Sequence, residues 1–201
     1  MADTATSAVG SPAPGRYGPG ESRLRLTEIA IAGAWNLQGC LAEPRFAAAA
    51  CVICGVALPA EPNATLQSNA LTTFWLGPEA WLLVARASST LPALTASRHA
   101  LNAVGGALFD VSASRVAYRI SGKDAANVLA KNCPLDFDAR TFAIGGCAQS
   151  LFGPMGALFY HVDATSWIVM VARSFAHDAW HTLCASAAQY GYEVTPAEAF
   201  P

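Results

Sequence analysis

The sequence predicts an α+β fold in which helices pack on mixed or antiparallel sheets. Apolar and polar residues alternate in several short runs, which is typical of strands with one covered face. Four other segments have the composition and spacing of helices, and three of these end at glycine or proline. Helices and strands alternate along the chain, yet several strand pairs look like hairpins, so a wholly parallel sheet is not expected.

The N-terminal half of the chain begins with two predicted strands and a helix. Apolar residues alternate from Leu24 to Ile31, and a second short run continues from Trp35 to Leu41. Pro44 suits a first helical turn, so the alanine-rich run from Arg45 to Cys54 predicts a buried helix. The next elements are an outward loop at 63–68, a hairpin of strands 71–76 and 81–86 joined by Gly77-Pro78-Glu79-Ala80, and a helix at 91–104.

The C-terminal half alternates between strands and helices. A strand is expected at 107–111 and another from Val116 to Ile120. A helix follows with Asp124 in its first turn, and Pro134 prevents its continuation. The last elements are strands near 148–152, 156–162 and 167–171, and a helix that Ser174 caps and that runs to about Gln189.

Length and composition indicate one folded domain behind a tail. The 201 residues can bury one substantial core. Residues 1–22 mix alanine, serine, threonine, glycine and proline, and they lack the basic start and apolar stretch of a secretory signal. We therefore expect a flexible tail over 1–22, a single domain over 23–201, a cytoplasmic location and reduced cysteines.

Charged residues are sparse in this chain. They make up 13% of it, against about 25% in an ordinary soluble domain, while hydrophobic residues reach 53%. A surface meant for burial between subunits explains this balance, although a high alanine content alone can produce it too. The net charge of −2 gives no basic field for nucleic acid, and no apolar run of 18 residues is available to span a membrane. We expect neither nucleic acid nor membrane as a partner.

Several short motifs occur along the chain in a characteristic order. They are Leu76-Gly77-Pro78-Glu79-Ala80-Trp81-Leu82-Leu83, Asp110-Val111-Ser112, Lys131-Asn132-Cys133-Pro134-Leu135-Asp136, Phe142 through Gly146-Cys147-Ala148-Gln149-Ser150, and Arg173-Ser174-Phe175-Ala176 with Trp180. In combination they resemble the sarcosine oxidase gamma family, over residues 24–190. Asp110-Val111-Ser112, the turn from Ile120 to Ala125 and Gly156-Ala157-Leu158 further resemble the folate-binding aminomethyltransferases of the glycine cleavage system. The resemblance implies the aminomethyltransferase folding domain.

The resemblance also implies a division of labour within a heterotetramer. It implies NAD on the alpha subunit, FAD and covalently held FMN on the beta subunit, zinc on the delta subunit, and tetrahydrofolate as acceptor of the one-carbon unit. The gamma subunit is implied to pack chiefly against the alpha subunit and to bind none of these groups. One departure matters: where the aminomethyltransferases continue into a catalytic acidic residue, this chain has Phe159 and Tyr160. Neither side chain can be an anionic carboxylate near a folate amine.

Cysteine and histidine pairs have spacings that metal or redox sites use. Cys51-Val52-Ile53-Cys54 has the spacing of a redox or zinc half-site, and Cys133 and Cys147 could complete it only if the fold brought them close. Their apolar neighbours favour buried structural cysteines instead. His177 and His181 stand four residues apart on a predicted helix but lack the acid and third ligand of a zinc-protease motif, so a solvated helix face is expected.

The remaining polar and aromatic groups admit structural roles. Asp110 with Ser112 and Asp136 with Asp138 lack a nucleophile elbow and are expected in turns or at strand ends. Ser121-Gly122-Lys123-Asp124 could attract an anion but lacks the glycines of a phosphate loop, so a helix cap is expected. Four aromatic residues could stack on a flavin or folate but are expected in the core or a subunit contact: Trp81, Trp167, Phe175 and Trp180.

These observations predict an accessory, structural gamma subunit with no catalytic, cofactor-binding or metal-binding residue of its own. Its complex would demethylate sarcosine oxidatively to glycine and produce hydrogen peroxide, with the chemistry on partner flavins. The equivalent subunit of a related dehydrogenase, such as one acting on N-methylglutamate, would have the same features. The chain could also be a stand-alone folate-binding one-carbon protein, or a small thiol or metal protein based on Cys51 and Cys54. Folate titration and metal analysis would separate the last two.

Overall fold

A computed structural model describes residues 13–86 and 94–201. The chain divides into two compact units, the first of Met1–Ala30 and Ser114–Glu198 and the second of Ile31–Ala113 and Ala199–Pro201. The strands in the described ranges are β1 Gly15–Tyr17, β2 Leu24–Ala30, β3 Ala34–Gln38, β4 Thr65–Gln67, β5 Leu71–Gly77, β6 Ala80–Ala85, β7 Ala107–Asp110, β8 Arg115–Ser121, β9 Cys147–Phe152, β10 Met155–Asp163, β11 Ser166–Ala172 and β12 Tyr192–Ala199. The α-helices there are α1 Pro44–Cys54, α2 Leu94–Asn102, α3 Ala125–Ala130 and α4 Ala176–Ala187.

The first unit is built on a seven-stranded sheet in the order β1-β12-β2-β8-β11-β10-β9. Strand β10 pairs antiparallel with β9 and β11, and β8 pairs antiparallel with β2 and β11. Helices α3 and α4 contribute their apolar residues to the core on one face of this sheet. Alternate strand residues therefore point into that core, as Tyr118, Phe159 and Val169 do.

The second unit is built on a five-stranded antiparallel sheet in the order β4-β5-β6-β3-β7. Its core joins strand residues to α1 and α2, with Phe46 and Leu101 fully buried. Gly39 and Gly106 both lie against the Phe46 ring, and a Cβ atom at either position would overlap that ring. Glycine is therefore needed at both positions for the Phe46 ring of α1 to pack in the core of the second unit.

The structure confirms the α+β class and the antiparallel hairpins predicted from alternation. Helix α1, the β5–β6 hairpin and the β9–β10–β11 meander lie where the sequence places them. Helix α2 ends at Asn102, two residues before the predicted end, and the first residues of that prediction, 91–93, lie outside the described residues. Among the described residues, no helix combines the length and the apolar character that crossing a membrane needs.

Three strands and one helix cap differ from expectation. The loop predicted at 63–68 contains the short strand β4, and β12 was not predicted, because Pro196 and two glutamates interrupt its alternation. Within the range predicted as a tail, Gly15–Tyr17 forms β1 and pairs antiparallel with β12. The expected cap Ser174 lies instead in a 3₁₀ turn, Arg173–Phe175, and α4 starts after it with no side-chain cap.

Candidate functional site

The position that resembles the catalytic segment of the aminomethyltransferases lies on β10. Phe159 is fully buried in the core of the first unit and meets Phe137 edge-on, with ring centroids 5.4 Å apart. Tyr160 is also buried, and it lies in register with Ile168 and Cys147 on the flanking strands. The strand thus places an apolar ring and a phenol where aminomethyl transfer would need a carboxylate. Neither side chain has a carboxylate that could pair with a folate amine.

The carboxylate at the end of β10 belongs to Asp163, which is exposed. Desolvation opposes its ionisation, but hydrogen bonds from the Thr165 N–H and from the Ser166 and Thr165 hydroxyls outweigh this, and the pKa lies below its usual value. The Thr165 N–H donates to Asp163 Oδ1 at 3.0 Å, across the turn into β11. Asp163 is therefore an ionised turn residue rather than a proton donor or acceptor for catalysis.

His161, earlier on the same strand, is a buried titratable side chain that no sequence motif indicated. Its ring stacks on Trp167 with centroids 3.8 Å apart and planes within 3° of parallel. Its Nδ1 atom lies 2.7 Å from the carbonyl oxygen of Phe142. His161 and Trp167 are register partners across the β10–β11 hairpin, so cross-strand pairing was the signal that could have found the pair. Both contacts lie in the core, and only 1% of His161 is exposed.

The two cysteines of the Cys-x-x-Cys sequence occupy different environments on α1. Cys54 is buried, and burial together with the nearby Cys51 thiol raises its pKa to about 12. Cys51 is exposed on the outer side of the helix, so the expectation that both cysteines are buried is wrong for Cys51. It is wrong because Cys51 lies one position past the buried helical spacing of Phe46, Ala50 and Cys54. A thiol that stays protonated at neutral pH is a poor nucleophile or metal ligand.

The remaining candidate ligands do not join these cysteines. Cys133 and Cys147 are buried in the first unit, whereas Cys51 and Cys54 belong to the second. His177 and His181 are both exposed on α4. Over the two described ranges, 13–86 and 94–201, no group of three or more histidine, cysteine, aspartate or glutamate side chains is arranged to hold a metal ion.

Asp110 and Ser112 form a turn rather than a catalytic pair. Ser112 donates to Asp110 Oδ1 from its hydroxyl at 2.7 Å and from its N–H at 2.9 Å, and these bonds hold the pKa of Asp110 below its usual value. The Ser112 Oγ also accepts a hydrogen bond from the Ala34 N–H at 2.9 Å. The pair therefore fastens the chain after β7 onto the start of β3.

Asp136 and Asp138 form a second set of local turn contacts. Asp138 makes a two-pronged contact with the Arg140 guanidinium at 2.9 Å for each oxygen, and this hydrogen bonding lowers the pKa of Asp138 to about 2. Asp136 Oδ1 accepts from the Asp138 N–H at 3.0 Å, and Asp136 Oδ2 accepts from the Thr141 hydroxyl at 3.0 Å. The oxygens of both carboxylates are occupied by these local contacts within an exposed loop, so the two residues are not an acid–base pair.

The Ser121–Asp124 turn has a role other than capping. Asp124 precedes α3 but makes no side-chain cap hydrogen bond. Its carboxylate instead pairs with the Arg23 guanidinium at 2.8 Å, a partner more than 100 residues away that sequence spacing could not indicate. Gly122 has φ +123°, and a Cβ atom there would overlap the carbonyl oxygen of Arg23. The turn therefore holds the segment before β2 against the start of α3, a helix of six residues.

Three of the four candidate stacking residues are committed to cores. Trp81 donates from Nε1 to the Pro59 carbonyl oxygen at 2.8 Å and lies 6.2 Å from Phe46. Trp167 stacks on His161, and Trp180 lies 5.2 Å from Tyr118 between ring centroids. The fourth, Phe175, differs from these three because 41% of it is exposed.

Each unit has a shallow groove. The groove of the first unit, about 400 Å³, is lined by residues that include Arg23, Arg25, Asp163 and Glu193. The groove of the second unit, about 470 Å³, lies between the β5–β6 turn and the glycines at 39, 105 and 106, and Glu79 is its one charged lining residue. In the first, Arg23 and Asp163 are held in the contacts described above. In the second, the lining offers no nucleophile and no acid–base pair.

The fold is of the α+β class and is similar to that of an aminomethyltransferase of known structure. The glycine cleavage system aminomethyltransferase T from Bartonella henselae superposes with a TM-score of 0.62 at 13% identity, over 88% of this chain and 48% of that one. At this identity the similarity concerns the fold alone.

The chain belongs to the sarcosine oxidase, gamma subunit family, whose sequence profile matches residues 38–189. It is similar to the sarcosine oxidase gamma subunit of Corynebacterium sp. (strain U-96), with 29% identity over 82% of this chain and 79% of the relative. A relative of the same description from Arthrobacter sp. is 28% identical over 79% of this chain and 77% of its own length. A chain of the heterotetrameric sarcosine oxidase from Corynebacterium sp. U-96, solved in complex with pyrrole 2-carboxylate, superposes with a TM-score of 0.78 at 26% identity, over 87% of this chain and 88% of that one.

Proposed function

We propose that this chain is the accessory gamma subunit of a heterotetrameric sarcosine oxidase and carries out no chemistry of its own. The complex oxidatively demethylates sarcosine to glycine, with hydrogen peroxide and a folate-acceptable one-carbon unit as further products. The observation that carries the proposal is the match to a chain of a heterotetrameric sarcosine oxidase along 87% of this chain and 88% of that chain. A near full-length match favours the same place in the same kind of complex.

The accessory role is supported by what the residues on β10 are. A folate-dependent transferase needs an acid near the reacting amine, and Phe159 and Tyr160 fill that part of the strand with buried rings. Two candidate carboxylates are engaged in turns, through Ser112 for Asp110 and through Arg140 for Asp138. The described side chains thus provide no preorganised acid and base around either groove.

The implied cofactors do not fit this chain. The sequence has no glycine fingerprint for a dinucleotide, and the donors described above do not converge on a metal. FAD, FMN, NAD, zinc and tetrahydrofolate therefore belong to the alpha, beta and delta subunits, and the alpha subunit is the chief contact of this chain. The assembled complex is located in the cytoplasm.

The test is coexpression of this chain with the three other subunits from the same source. We expect the four chains to copurify at fixed stoichiometry, with flavin absorbance and sarcosine-dependent peroxide formation in the complex. The control omits only this chain and should yield less assembled complex. The proposal would be overturned if the three other chains assembled and turned over fully without it, or if this chain never copurified with them.

A further inference from the structure

We propose that the outer face of α1, formed by Ala48, Cys51 and Val52, is buried against an unlike subunit of the complex. This inference rests on the proposed function, because the complex supplies the partner. The surface on the partner is apolar and uncharged.

Helix α1 is apolar on both of its faces. Its inner face buries Phe46, Ala50 and Cys54 in the core of the second unit. Val52 is 83% exposed, the highest value among the large hydrophobic side chains that the structure describes. The single charged residue of the helix is Arg45, in the first turn. A helix that is apolar all round is ordinarily buried all round.

The other described helices do not have such a face. On α4, the exposed residues include His177, Asp178 and His181, and on α2 they include Arg98 and His99. The short helix α3 exposes Asn127. These helices present to water the polar groups that water solvates well, and α1 presents a valine, an alanine and a thiol.

Charge and size indicate what covers this face. A charged group on the opposing surface would lose its hydration against Val52 without gaining a partner, so the opposing surface is uncharged. The 11 residues of α1 extend about 16 Å, too little for the roughly 800 Å² per partner of a stable interface. The face is therefore the apolar centre of a larger contact, with Glu43 and Arg45 at its polar rim. A contact of that size requires a folded chain rather than a short peptide.

The similar solved enzyme favours an unlike chain over a second copy of this one. That enzyme is heterotetrameric, and a chain in it matches this chain over nearly its whole length. Proteins of this family thus occur with unlike chains on their surface. The centre of a subunit interface is depleted of charged residues, so the uncharged outer face of α1 suits contact with an unlike chain.

The first experiment compares two arginine substitutions on exposed helical alanines. Ala48→Arg places a cation in the centre of the proposed contact, and Ala185→Arg makes the same change on the exposed side of α4. When the four subunits are coexpressed, we expect recovery of the Ala48→Arg chain in the complex to fall about tenfold, because a buried unpaired charge is costly at an interface centre. Ala185→Arg should be recovered like the wild type. Thermal unfolding of each isolated variant establishes that both fold.

The second experiment needs no mutation. Cys51 is exposed in the isolated chain, so a maleimide should modify it readily, and peptide mapping identifies it among the six cysteines. In the assembled complex we expect the rate of Cys51 modification to fall by about a factor of ten or more, since the thiol would lie inside the contact.

The outcomes separate the two proposals. If the wild-type chain fails to copurify with the other subunits, the proposed function and this inference both fall. If the wild type copurifies, while Ala48→Arg does so equally well and Cys51 stays reactive in the complex, only this inference falls. It also falls if light scattering finds the isolated chain to be a dimer that Ala48→Arg dissociates, because the face would then bind a second copy.

Discussion

Helices α1 and α4 bury comparable apolar residues yet differ on their outer faces. Helix α4 buries Trp180 and Leu183 and exposes His177 and His181 to water. Helix α1 buries Phe46 and exposes Val52. The residue types on the buried side of a helix fit the chain's own core, whereas those on its outer side fit what surrounds the folded chain. By this criterion we expect water around the outer face of α4 and a partner subunit against the outer face of α1, although both helices lie in a chain with only 13% charged residues.

The largest expected effect is on the inner face of α1. Phe46→Ala should lower the free energy of unfolding by about 3–5 kcal/mol. The ring is fully buried and packs against Gly39 and Gly106, so its removal leaves a cavity. Val52→Ala, on the outer face of the same helix, should change it by less than about 0.5 kcal/mol in the isolated chain. Urea unfolding of the two variants measures the contrast. Equal losses would mean that Val52 packs in the chain's own core.

The sequence could predict elements whose patterns are local. Helix α1 and the β5–β6 hairpin follow from composition, Pro44 and the Gly77-Pro78 turn. Strand β12 could not be predicted, because a proline and two glutamates break its alternation and its pairing with β1 links opposite ends of the chain. The exposure of Cys51 could not be predicted, because it depends on which face of α1 is turned toward the core. The run of alanines does not indicate that face.

The candidate site was predictable in part. The loss of the carboxylate at Phe159 and Tyr160 follows from the sequence once the family resemblance is seen. The Arg23–Asp124 pair and the His161–Trp167 stack join residues whose proximity depends on tertiary structure and on strand register. The single domain over residues 23–201 stays a prediction.

The second effect concerns a buried position of the first unit. Tyr160→Asp should confer no aminomethyl transfer, because one carboxylate without a preorganised folate pocket gives little positioning. It should also destabilise the fold by about 2–4 kcal/mol, since a carboxylate replaces a buried phenol. Transfer to tetrahydrofolate and urea unfolding measure the two expectations. Phe175→Asp, at an exposed ring, is the control that should fold normally, and folate-dependent transfer by Tyr160→Asp would show that a working pocket exists.

A smaller effect is expected at the buried cysteine of α1, Cys54, as the pH rises. Burial raises the pKa of Cys54 from 9.0 to about 12, so the unfolded chain loses this proton at lower pH than the folded chain. The resulting stability is present in full below pH 9.0 and is lost as pH rises toward 12. Between pH 8 and pH 10.5 the wild type should lose roughly 1–2 kcal/mol more than Cys54→Ala.

Comparing unfolding curves of both proteins at the two pH values removes contributions from tyrosines, which they share. Identical pH dependences would place the Cys54 thiol in water.

The smallest effect is expected at the exposed thiol. Cys51→Ser should leave the unfolding free energy within about 0.5 kcal/mol of the wild type, because the side chain is exposed. Sarcosine turnover and metal content of the assembled complex should also be unchanged, and so should those of the double variant Cys51→Ser/Cys54→Ser if it assembles. A loss of turnover or of stoichiometric zinc with assembly intact would give these thiols a chemical role.

The accessory role is tested most directly by the isolated chain. Purified alone, it should show no flavin absorbance and no peroxide formation from sarcosine. Coexpressed with its partner subunits, it should be recovered in a defined complex that is yellow and active. A soluble monomer that binds flavin or oxidises sarcosine unaided would contradict the account.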